Sequence, residues 1–86
     1  MPEVSRFYGI TIRFYYRDHP PTHFHAFYGD HEALIEIETG EVNRGHLPRS
    51  ARELVERWRS LHLEELRDDW ERARQQQPLL PIAPLE

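Results

Sequence analysis

A small α+β fold is what this sequence predicts: a three- to four-stranded antiparallel β-meander, then two α-helices packed on one sheet face. Three observations carry the prediction. Between Phe7 and His46 apolar and polar residues alternate in short runs separated by Gly and Pro breaks. Gly29-Asp30 is a two-residue hairpin signal between two such runs. From Ser50 to Gln75 the apolar residues switch to helical spacing. The 86 residues read as one domain, with sheet over 7–46, helices over 50–75 and an extended Pro-rich tail over 76–86.

The first strand is read in FYGITIRFYY, residues 7–16. After Gly9, Ile10, Ile12, Phe14 and Tyr16 share one face and Thr11, Arg13 and Tyr15 the other, with the β-branched and aromatic content of a strand. RDHPPT, residues 17–22, ends it, because neither proline can donate to a ladder. His23 to Tyr28 forms the next strand, and a third runs from about Glu32 to Glu38. A turn at Gly29-Asp30 sets Phe24 opposite Ile35 and Ala26 opposite Ala33. It also sets His25 against Leu34 and His23 against Glu36, and a one-residue slip would put Phe24 among glutamates. A turn at Asp30-His31 keeps the same faces and pairs His25 with Glu36; the pattern does not choose between the two. Thr39-Gly40 turns the chain into a short fourth strand, Glu41 to Arg44, with Val42 inward.

Ser50-Ala51-Arg52-Glu53 matches a capping box at the start of the helical region. Leu54, Val55, Trp58, Leu61, Leu66, Trp70 and Ala73 then make an apolar stripe, which places both tryptophans in the core. One helix over 51–75 would be about 37 Å long, more than such a domain covers with core, so a break is expected near Leu61–Leu63. Gln75-Gln76-Gln77-Pro78 ends the pattern, and three prolines hold the following residues extended.

Composition narrows the function. No cysteine is present, which excludes thiolate zinc sites and disulfides. No apolar run approaches the roughly 18 residues of a membrane span, and a cytoplasmic location is expected. All eleven basic residues are arginine, and the net charge is −4. That balance disfavours nucleic acid as a partner, including through Arg49, Arg52, Arg57 and Arg59, which alternate with Glu53 and Glu56. No nucleophile elbow, phosphate loop or paired-cysteine motif occurs, so no catalytic residue is assigned.

The histidines are the chemical feature. His23 and His25 sit two apart on a strand, pointing one way about 6.6 Å apart. The face away from the helices carries them toward water. His19 can join them if the Pro20-Pro21 segment folds back, and Glu36 or Glu38 across the hairpin can complete the set. Three histidines and a carboxylate suit zinc, iron or nickel, so His19, His23, His25 and Glu36 are the candidate ligands of a divalent transition metal. The same face presents Arg13, Tyr15, His25, Phe27 and Leu34, and aromatics beside arginine are what anchors a protein interface. The leading expectation is an interaction module without a cofactor, binding a small protein or a second copy of itself; metal binding, with hydrolytic chemistry, is the alternative.

The run DHPPTHFHAFYGDHEALIEIETGEVNRGHLP, with LVERWRSLHLEELRDDWERA and the closing PLLPIAPL, resembles the bacterial domain of unknown function 4160 family over nearly the whole chain. The motif that carries the resemblance is Asp18, His19, Pro20, Pro21, His23 and His25. It implies a small α+β protein without an assigned catalytic residue. It also implies a partner of the domain of unknown function 2442 family, in a two-gene unit of toxin–antitoxin character. Phe27 stands where a polar or basic residue is expected, which weakens the case for a charged ligand on that face.

Overall fold

A computed structural model describes residues 2–86. Five antiparallel strands follow one another in a meander, β1 (Glu3–Phe7), β2 (Ile10–Arg13), β3 (His23–Tyr28), β4 (His31–Glu36) and β5 (Val42–Gly45). Helices α1 (Arg49–Leu61) and α2 (Leu63–Arg74) complete the order. The sheet therefore has one more strand than the sequence pattern predicts at most. The residue run read as a single strand from Phe7 is reversed at Tyr8-Gly9, both at positive φ (50° and 79°), the backbone that a two-residue hairpin requires. β1 lies before that turn and, except for Phe7, outside the predicted sheet region.

The hairpin at Gly29-Asp30 takes the register that the apolar pairing demands. His23 faces Glu36, Phe24 faces Ile35, His25 faces Leu34 and Ala26 faces Ala33. The alternative with His25 against Glu36 is not adopted. β4 ends at Glu36 rather than Glu38, yet Ile37 stays in the core with its N–H on the Thr22 carbonyl at 3.0 Å. The β4–β5 ladder contains a register shift, and Gly45 (φ 80°) makes it possible: a Cβ there would collide with the Glu32 carbonyl.

Alternation puts Ile10, Ile12, Phe24, Ala26, Ala33 and Ile35 on one face, and all six are buried. Trp58 of α1 covers this face, with its ring 5.9 Å from Phe24 and 5.3 Å from Phe7. Trp70 of α2 is buried as well, as the apolar stripe predicts. Tyr16 departs from the expected pattern and is 44 % exposed, because the ladder ends at Arg13 and the alternation no longer applies beyond it.

The helical region divides at His62 (φ −126°), where the length of a single helix predicts a break. The capping box is not formed. Pro48 occupies the N-cap, Ser50 lies inside α1, and Glu53 accepts a hydrogen bond from Arg49 at 3.0 Å instead. Pro48 in extended conformation directs the chain into the helix two residues before a serine cap would act. The tail is extended, as expected, and is also packed. The Ile82 N–H donates to the Val4 carbonyl at the outer edge of β1 (2.8 Å), and Trp58 Nε1 donates to the Ala83 carbonyl (2.8 Å).

Candidate metal centre

The link between β2 and β3 builds the site. Arg17 adopts φ 58°, a left-handed backbone unusual for a residue with a side chain, and the chain doubles back there. Its N–H is anchored on the Ala73 carbonyl of α2 at 3.3 Å. Asp18 is thereby laid over the start of β3. One of its oxygens, Oδ2, lies 2.8 Å from His23 Nε2 and 3.1 Å from His25 Nε2. The other, Oδ1, accepts the His19 N–H at 2.9 Å. One oxygen from Asp18 and one nitrogen from each imidazole all lie within 4.8 Å of one another.

The imidazoles do not face water as the alternation predicts. His23 and His25 are 4 % and 6 % exposed, and four consecutive residues of β3, His23 to Ala26, are buried. The reason is the covering: Asp18 caps both rings, Tyr15 stands edge-on to His25 (4.4 Å between ring centroids), and Trp70 lies 5.1 Å from His23. A helix thus reaches one of the rings from the end of the sheet.

Each ring has a second partner. His23 Nδ1 is 2.7 Å from the Pro21 carbonyl, and His25 Nδ1 is 3.3 Å from Glu32 Oε2. Burial works to raise the Asp18 carboxyl. Hydrogen bonds from His25, the His19 N–H and His23, with the charge of His23, outweigh it and hold the group below the usual aspartate range.

Of the four ligands the sequence proposes, two come together and two do not. His19 is exposed and contributes its backbone N–H rather than its ring. Glu36 stands opposite His23 in the ladder, but no hydrogen bond joins their side chains, and it lies outside the three-residue group. Asp18 takes their place. Its position five residues before His23 in the histidine motif was visible in the sequence, whereas the reversal that turns it inward was not. Glu32 was missed too; it shares the outward face with Leu34, next to His25 on the diagonal.

The proposed interface residues form part of a row across the same sheet face. Arg13 pairs with His25, His25 with Leu34, and Leu34 with Arg44. Arg13 lies over the Phe27 ring at 5.3 Å, and Phe27 and Leu34 are partly buried. Tyr15 is the most exposed of the five, at 36 %.

Among the described residues, no helix is long and apolar enough to cross a membrane. No curated protein and no solved structure matches the chain significantly. A protein-family model, described as a domain of unknown function (DUF4160), matches residues 9–71, a span that holds the Asp18, His23 and His25 cluster, and the chain belongs to that family.

Proposed function

We propose that this protein binds a divalent transition metal through Asp18 Oδ2, His23 Nε2 and His25 Nε2. One observation carries the reading. A carbonyl only accepts hydrogen bonds, so the one on Pro21 fixes a hydrogen on His23 Nδ1 and leaves Nε2 as the lone-pair nitrogen of the neutral ring. That lone pair then faces a carboxylate oxygen at 2.8 Å, an arrangement that requires a cation between them, either a second ring proton or a metal ion. His25 repeats the pattern with Glu32 behind its Nδ1. Metal-ligating imidazoles usually carry such an outer partner on their second nitrogen, and here two of them converge on one carboxylate. Tetrahedral ligands about 2.0–2.1 Å from zinc stand about 3.3 Å apart; the two nitrogen–oxygen spacings here are 2.8 and 3.1 Å.

Two imidazoles and a carboxylate suit zinc, cobalt, nickel or ferrous iron. Three protein ligands leave a coordination position for water or a substrate, as catalytic centres do. Burial of His25 and the partial burial of Phe27 and Leu34 shift the weight from protein docking, which the sequence favours, to this centre.

The test is uptake by protein carrying no polyhistidine tag, incubated with zinc, cobalt or nickel and then dialysed. Elemental analysis should find one equivalent per chain, and cobalt should give visible absorption that the His23→Ala/His25→Ala variant lacks. Wild-type protein that emerges metal-free from all three ions ends this reading.

A further inference from the structure

We infer that the centre takes a small oxyanion, and that Arg44, assisted by Arg13, receives it; this rests on the metal reading above. The row Arg13, His25, Leu34, Arg44 runs across four strands on one face, so that His25 has an arginine in the ladder to either side of it. Among the described residues neither arginine has an ion-pair partner, although the chain is acidic and Arg6, Arg59, Arg67 and Arg72 are all paired. Arg13 Nε is buried without any hydrogen-bond acceptor, and its guanidinium lies over Phe27 on the same sheet face.

Two shallow hollows open beside the cluster. One is lined by His25, Glu32, Leu34, Arg44 and Gly45, and the other by residues including Asp18, His23, Leu34, Asn43 and Arg44. Arg44 borders both. Its strand lies two spacings from that of the histidines, about 9.6 Å, a gap that an arginine side chain and an anion between them fill. A divalent ion held by a single carboxylate keeps a net positive charge, so an oxygen of a phosphate or carboxylate suits its open position. Arg44, a planar fork of donors, suits the remaining oxygens.

Cobalt-loaded protein titrated with inorganic phosphate and, separately, with acetate tests this. Either anion should shift the cobalt absorption. Arg44→Gln should weaken that response about tenfold while cobalt stoichiometry is unchanged. Arg13→Gln should weaken it less. The anion that binds more tightly assigns the ligand as phosphate- or carboxylate-bearing. Cobalt-loaded protein blind to both anions, or responding identically in Arg44→Gln, overturns this inference and leaves the metal reading standing. Wild-type protein that takes up no cobalt overturns both.

Discussion

Two aspartates of this small domain are withdrawn from water and carry opposite electrostatic shifts. Asp18, with 21 % of its side chain exposed, is held below the ordinary aspartate range. Asp69, in the middle of α2 and 1 % exposed, is pushed up to about 6. Burial acts upward on both. Asp18 meets two imidazoles and a backbone N–H, and these outweigh it. Asp69 meets one donor, the Leu80 N–H on Oδ1 at 2.9 Å, and its Oδ2 has no hydrogen-bond partner. Asp68 and Glu65 add repulsion that Arg72 only partly offsets. How many donors converge on a carboxyl decides its charge more than how deeply it lies. That contrast marks Asp18 as the carboxylate that two imidazoles share and Asp69 as the attachment point of the tail.

Removing Asp18 should have the largest effect. Asp18→Ala leaves two buried imidazoles facing nothing, and a loss of about 3 kcal/mol in chemical denaturation is expected, together with loss of metal uptake. Stability within a few tenths of wild type would show that the cluster does not depend on its carboxylate.

Asp69→Asn should be the intermediate case, and its sign is opposite. The folded carboxyl titrates near 6 against about 3.9 in the unfolded chain. Its contribution is therefore complete below about pH 4 and is lost as pH rises through 6, about 2–3 kcal/mol in all. Asparagine keeps the acceptor for Leu80 and abolishes that slope. Since its amide hydrogens stay unpartnered, the net gain at pH 8 is about 1 kcal/mol. Thermal melts from pH 4 to 8 measure both, and an unchanged slope in the variant would remove Asp69 from the account.

The smallest effect belongs to a carboxylate at the surface. Glu38 is held low by the two hydrogen bonds of Arg67, at 2.8 and 2.6 Å, yet both side chains are 47 % exposed. Arg67→Ala should leave the melting temperature within experimental error, since solvent screens such a pair. A clear drop would mean that the shift direction alone, without burial, reports stability.

Much of the scaffold could be read from residues whose pattern repeats. Phe24, Ala26, Ala33 and Ile35 set the hairpin register, and Trp58 and Trp70 follow the helical stripe into the core. The break at His62 followed from length alone. What escaped were features held by tertiary contact. Tyr8-Gly9 lacks the Asn-Gly or Asp-Gly signature of a tight turn, so β1 was hidden. Pro48, not Ser50, opens α1. In the site, strand spacing identified His23 and His25, because side-chain direction in a strand is periodic. The third member of the cluster comes from a loop, where spacing says nothing about which residue turns inward. The sequence pattern therefore points to His19 where Asp18 stands, and to Glu36, which lies outside the cluster.

The seam between the tail and β1 bears on how the molecule is assembled. The Val4 carbonyl is made 78 residues before its Ile82 partner. Until Ile82 has been made the outer strand edge stays unzipped, a template for a stray strand from a neighbouring nascent chain. Closing that seam is a late, long-range step, and a chain released before Ile82 would carry its aggregation hazard permanently.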